Sequence, residues 1–345
     1  MVVHPPMQRA ILGFVPAFLA AAALASPARP AEVRVAAAAT DLALGADELP
    51  RGCSIPDEPR RDASVDRLAD EIRSAARAPL RVDLAIQDIL TPSGPASVIS
   101  LAVLEGDPRA VLAAVQGALA GRHDARRFGN AVLVLASAER SARTPLLGAC
   151  FSRFTKLARA RAEERVRAGD PRGAIDCLST ILELSPDDPR ARVRSGEILA
   201  GNGPGDAALA REHFERAVAA LEKSKPAARP EGLLLDARLG LSRLERSRGE
   251  FSAAEAAARR ALDEATGDAE QARSGYELAA ALAAASRVDE ALAALEAALD
   301  AAARAGGEAN DLARRARSDE AFMNFAAAPR FKALIERHGG GTEPR

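Results

Sequence analysis

Four histidines (His4, His123, His213, His338) and three cysteines (Cys53, Cys150, Cys177) are the side chains of this chain best suited to metal ligation or nucleophilic work, and they are scattered. A zinc site needs ligand pairs that one turn or one helix face presents together, and neither an HExxH helix nor a CxxC pair is present. The glycines of Gly201-Asn-Gly-Pro-Gly-Asp206 invite a phosphate-loop reading, but the Lys-Ser/Thr that such a loop requires is missing, so the stretch reads as an inter-helix turn. No G-x-S-x-G elbow presents a serine nucleophile. His213, one residue before an apolar Phe214, reads as a helix surface residue. The expectation is no catalytic residue, no metal, no cofactor, and therefore no enzyme.

Lys+Arg 47 against Asp+Glu 48 gives a formal net charge of -1, which supplies no electrostatic footprint for nucleic acid. Arg far outnumbers Lys, an excess that codon bias in a GC-rich genome produces by itself. Trp is absent, Tyr occurs once and aromatics are 3% of the chain, so a core must be assembled from many small helix contacts. At 345 residues the chain calls for two domains or an elongated array.

Residues 1–25 have the form of an exported protein's signal peptide: a short n-region ending at Arg9, an apolar run from Ala10 to Ala25, and small residues at Ala23-Leu24-Ala25. The alternatives are an uncleaved anchor, which would be the only route to a membrane, and a cytoplasmic start. Export places the chain in the periplasm or cell envelope, where Cys53 and Cys150 could pair and leave Cys177 free. Three unpaired core cysteines fit the spacing equally well.

The elements that must position any functional side chain follow from apolar period and breakers. Residues 26–63, with Pro27, Pro30, Pro50, Pro56 and Pro59, read as a disordered linker. Residues 64–150 read as an N-terminal helical domain. It has a helix from Ser64 toward Pro79, a short one over Leu84 to Leu90, a turn at Thr91 to Pro95, and a hairpin in which Gly106-Asp-Pro-Arg109 joins Val98–Leu104 to Ala110–Leu119. The runs ASVISLAVL and NAVLVLAS are short and β-branched enough to be buried strands instead; helix is favoured by their neighbours and by a lack of strand-hairpin turn signals. A long helix follows over Thr144 to Ala168.

From there the chain repeats. With Ala174, Ala210, Ala254 and Ala291 in register, Leu178, Phe214, Ala258 and Leu295 stand four residues later. Ile181, Ala217, Ala261 and Ala298 stand seven later, and Gly169, Gly205, Gly249 and Ser286 five earlier. Offsets of zero, four and seven lie along one helix face, alanine there lets helices approach closely, and a preceding glycine ends a helix in the left-handed conformation. Pro186 closes the first unit. This pattern resembles the tetratricopeptide repeat, a helix-turn-helix unit of about 34 residues. The spacings depart from the family through insertions at Gly201 to Gly205 and Ser224 to Gly232, and its first-helix aromatic is missing. Ala316 to Arg337 resembles the closing segment of such proteins, with Phe322, Phe325 and Phe331 covering the last apolar face.

The resemblance implies an all-α fold: a helical-hairpin, right-handed α-solenoid over 151–304, with the helical region before it, capping helices over 305–338 and a tail at 339–345. It further implies a noncatalytic protein-protein interaction scaffold, whose first helices line a groove for an extended or helical segment of another protein. Carried across by position, the groove presents Lys156, Arg159 and Glu163 from the first unit, Arg243 and Arg246 from the third, and Arg273 and Tyr276 from the fourth. The set leans basic, which suits acidic side chains or a chain end. Asn130, Asn202, Asn310 and Asn324 miss the positions of the family subtype that clamps terminal carboxylates. The competing readings are a small-ligand or enzymatic domain at 64–150 with accessory repeats, and a membrane-anchored assembly component.

Overall fold

The computed structural model describes residues 35–59, 65, 81–92, 94–118, 123–137, 140–306 and 309–339. The signal-peptide segment 1–25 and most of the tail lie outside them. Contacts divide the chain into two compact units, Met1–Leu184 and Ser185–Arg345.

The first unit corrects the all-helical reading of 64–150 over 81–91, 94–105, 123–128 and 131–137, which are strands, while the helix expected from Ser64 toward Pro79 lies, apart from Val65, outside the described residues. Its centre is a four-stranded antiparallel sheet of β1 (Arg81–Thr91), β2 (Gly94–Glu105), β3 (His123–Phe128) and β4 (Ala131–Ser137), in the order β1-β2-β4-β3. Helix α1 (Pro108–Ala118) connects β2 to β3. The strand alternative for ASVISLAVL and NAVLVLAS is the one the protein adopts, and Leu84 to Leu90 is strand as well. Val82, Leu84, Ile86, Ile99, Leu101, Val103, Val132 and Val134 pack against Val111 and Val115 of α1. The alternate residues Ala85, Ile89, Val98, Ala102, Leu133 and Leu135 are buried on the other face. Burial on both sides removes the polar half of a strand's alternation, which leaves a run that a helix could also produce. The expected turn at Thr91 to Pro95 is present, with Thr91 in register with Gly94. Gly129-Asn130, with Gly129 at φ 54°, is the two-residue link joining β3 to β4, a strand-hairpin signal that was present in the sequence.

The stretch read as a linker is ordered from residue 35 to 59 and is strapped to the sheet. Asn130 Oδ1 accepts from the amides of Val35 (2.9 Å) and Ala36 (3.0 Å), and its Nδ2 donates to Ala36 O (2.8 Å) and Val103 O (3.3 Å). Gln87 clamps both backbone groups of Leu44, and Asp83 accepts from the amide of Ala39. Proline and small residues prevented a helix here; side chains far along the chain supply the backbone partners that regular structure would otherwise provide. All three cysteines are free; Cys150 and Cys177 are buried in the core, whereas Cys53 is only half-buried.

Helix α2 (Arg140–Arg167) packs on the sheet and leads into α3 (Pro171–Leu184). Both occurrences of Gly-Asp-Pro-Arg start a helix at the proline, α1 after a strand and α3 after a helix. Each time Asp caps the first turn, Asp107 Oδ1 accepting from Arg109 N and Asp170 Oδ1 from Gly173 N, both at 2.9 Å.

The second unit is a run of antiparallel helical hairpins, as the repeat pattern predicts. Its helices are α4 (Pro189–Asn202), α5 (Ala207–Lys223), α6 (Leu233–Ser247), α7 (Phe251–Glu264), α8 (Asp268–Ala284), α9 (Val288–Arg304), α10 (Ala309–Ser318) and α11 (Pro329–His338). Consecutive helices pack together, and the first helices also touch one another, α4 with α6 and α6 with α8. The alanine register holds: Ala174, Ala210, Ala254 and Ala291 are each fully buried, as are their partners four and seven residues on. Gly169, Gly249 and Ser286 adopt left-handed φ of 74°, 78° and 62°. Each of the three donates to the carbonyl three residues back while the next amide reaches five back, as in Ser286 N to Ala283 O and Arg287 N to Leu282 O, both 2.9 Å. In the second repeat Gly203 (φ 122°), not Gly205, makes the break. The chain is thus predominantly helical, with hairpins where the repeats stand and a sheet before them.

Candidate interaction surface

The first helices α6, α8 and α10 carry the residues of interest in the second unit. At the centre is Glu277 of α8, whose side chain is 1% exposed. Its Oε1 accepts from Arg243 Nε of α6 (2.7 Å) and from Arg315 Nη2 of α10 (2.8 Å). Its Oε2 makes no hydrogen bond and lies 3.9 Å from Arg246 Nη2. Arg246 Nη1 donates to Asp319 Oδ1 (3.1 Å), and the Tyr276 hydroxyl donates to Asp319 Oδ2 (3.1 Å). The Arg315 guanidinium lies 4.3 Å from the centre of the Tyr276 ring, a cation-π stack.

A carboxylate can be buried because cations surround it. Burial opposes the Arg315 charge, but Glu277, Tyr276 and Asp319 more than offset this and leave its pKa raised. Burial, followed by the charge of Asp319, pushes the Tyr276 phenol up, so it stays protonated and donates. The cluster has three guanidiniums against two carboxylates. Its lower edge is apolar: Tyr276, Phe322, Phe325 and Phe331 form a buried aromatic group, with Tyr276 and Phe322 centroids 5.8 Å apart.

Of the residues carried across by resemblance, Arg243, Arg246 and Tyr276 come together here. Arg273 does not join them; it pairs with Asp236 of α6 at 2.5 Å. Lys156, Arg159 and Glu163 belong to α2 in the first unit. Lys156 bonds Glu48 of the strap (2.9 Å), while Arg159 and Glu163 have partners of their own. Burial disfavours the Glu48 charge, yet the Gly45 amide, Lys156 and Arg153 hold its pKa below the usual range.

Sequence reasoning missed Glu277, Arg315 and Asp319 as parts of this surface. The signal for Glu277 was a lone charge ahead of the apolar run from Leu278 to Ala285; for the other two it was a fifth helix start beyond the recognised repeats. His213 is corrected from surface to interior: it is 7% exposed, with Nδ1 3.4 Å from Arg192 Nη1. Burial, then the Arg192 charge, pushes its pKa down to about 4, so it is neutral.

No family model matches the chain, and no curated protein matches it. Solved structures do. A MamA fragment from Desulfovibrio magneticus RS-1, residues 41 to the end, is 18% identical over 53% of this chain and 94% of its own, with a TM-score of 0.38. A second MamA structure is 19% identical over 56% of this chain and 100% of its own, TM-score 0.38. PilW, described as a widely conserved type IV pilus biogenesis factor, is 19% identical over 57% of this chain and 84% of its own, TM-score 0.38.

Proposed function

We propose that the protein is a noncatalytic scaffold that binds other proteins through the first-helix face of its repeats, and that it acts in the cell envelope after export. The observation that carries the binding reading is the row of half-exposed arginines, Arg243 of α6 and Arg315 of α10, anchored from below by the buried carboxylate of Glu277. Side chains held in this way lose little freedom when a partner arrives, so more of each contact remains as affinity. An extended or helical segment laid across successive first helices meets that row in order. The export reading is supported by the form of residues 1–25.

A pull-down from envelope extract with quantitative mass spectrometry tests the binding reading. Proteins enriched by the wild type and lost with paired Arg243→Glu and Arg273→Glu substitutions, at unchanged circular dichroism, are the expected result. Retention of every partner, with the same salt dependence, counts against this face. N-terminal sequencing of the mature chain tests export, which calls for a first residue near Ser26.

A further inference from the structure

Arg243 and Arg315 converge from different helices on a single oxygen atom of Glu277. Among the described residues each guanidinium gives one N–H to that atom and meets no second acceptor, so its remaining donors are uncommitted. Their side chains are 44% and 45% exposed, whereas the carboxylate beneath them is 1% exposed. Glu277 is therefore a floor that faces inward and aims two cationic forks outward. Tyr276 fixes the plane of one fork by stacking. With Arg246 and Asp319 included, the cluster retains one uncompensated positive charge.

We infer that Arg243 and Arg315 form a two-arginine site for an acidic side chain of the bound protein, and that the closing helix α10 supplies half of it. The inference rests on the scaffold reading and adds the chemistry of the ligand. A partner Asp or Glu carboxylate accepts from both forks and completes the charge balance of three guanidiniums with a third carboxylate. Charge complementarity selects the occupant: a second cation is repelled, and an apolar side chain strands the outward donors without acceptors. Arg273, already neutralised by Asp236, lies outside the site.

The test uses the full chain and hexaglutamate, N-acetylated and C-terminally amidated so that only side-chain carboxylates are offered. Titration at about 150 mM salt keeps long-range attraction screened, and arginine Nε–Hε signals report the contact. The expected result is saturable movement of the Arg243 and Arg315 signals. Affinity should fall more than about tenfold in Arg243→Gln/Arg315→Lys, the loss of charge-assisted bonds, and remain unchanged in Arg273→Gln. Arg243→Lys/Arg315→Lys, which keeps every charge and loses only the forks, covers the case in which the first double variant melts early; it too should bind at least about fivefold more weakly. Equal affinity in the lysine pair, or equal binding of a neutral peptide with a free C-terminal carboxylate, overturns the site as assigned. The two readings fail separately. If extract partners are recovered equally by wild type and the lysine pair, the scaffold stands and this site falls; if neither recovers a partner, the scaffold falls whatever hexaglutamate does.

Discussion

Gly240→Ala sets helix propensity against packing, with opposite signs. Gly240 of α6 is buried in mid-helix at an ordinary negative φ, where alanine favours the helix by about 1 kcal/mol. A Cβ there would lie 2.4 Å from Phe214 Cε1 and 2.5 Å from Cζ. The ring cannot withdraw, because a Cβ at Gly196 of α4 would lie 2.9 Å from the same two atoms and Phe214 is only 1% exposed. Overpacking of this kind costs about 3 kcal/mol, so the net expectation is a loss of about 2 kcal/mol. Phe214→Leu places there the residue found at the same offset in the first and fourth repeats, Leu178 and Leu295. That change alone leaves a cavity costing about 1 to 2 kcal/mol. In Gly240→Ala/Phe214→Leu the methyl occupies part of the vacated space, and the double-mutant cycle should show a favourable coupling of about 2 kcal/mol. Gly148→Ala in α2 is the control: nothing lies within 4 Å of its added Cβ, and a gain of about 1 kcal/mol is expected. Urea unfolding followed by far-ultraviolet circular dichroism reads the wild type and all four variants. If Gly240→Ala is as stable as wild type, or if the two substitutions are additive, the wedging of Phe214 between α4 and α6 is wrong.

Three further expectations follow from local geometry. Ser286→Gly removes a left-handed strain of about 1 to 2 kcal/mol, less the extra freedom glycine gains when unfolded, for a net gain of about 0.5 to 1 kcal/mol in urea unfolding; a loss would show that Ser286 makes a compensating contact. The unfolded chain protonates His213 near its ordinary 6.5, but the folded chain does so only near 4. Stability from this source is whole above pH 6.5 and is lost as pH falls toward 4, by up to about 3 kcal/mol. His213→Leu should flatten that slope, and an unchanged pH profile would refute the buried neutral ring. Asn130→Ala removes four hydrogen bonds, three that hold Val35 and Ala36 and one to Val103, costs about 2 to 4 kcal/mol, and speeds amide exchange over residues 35–44; exchange at the wild-type rate would mean that the strap is held elsewhere.

The sheet and the charge cluster were harder to read from the chain than the repeats, for different reasons. In β1, β2 and β4 both faces are covered, so Leu84 to Leu90 and Val98 to Leu104 kept no period of two. The β-branched runs ASVISLAVL and NAVLVLAS and the Gly129-Asn130 link were the local signs of strands. The strap could not be read at all, since Val35 and Ala36 find their partner in Asn130, 95 and 94 residues away.

What the sequence determined by itself was everything that depends on residues a few positions apart: the alanine seams at Ala174, Ala210, Ala254 and Ala291, the left-handed helix ends at Gly169, Gly249 and Ser286, and the Asp-Pro helix starts. Tertiary structure alone decided which arginines are spent and which are on offer. Arg273 meets Asp236 across 37 positions, Arg246 meets Asp319 across 73, and Arg243 and Arg315 meet at Glu277 from 34 and 38 positions away. Backbone conformation is chosen by near neighbours, whereas the state of a charge is set by whichever carboxylate the fold brings within a few ångströms.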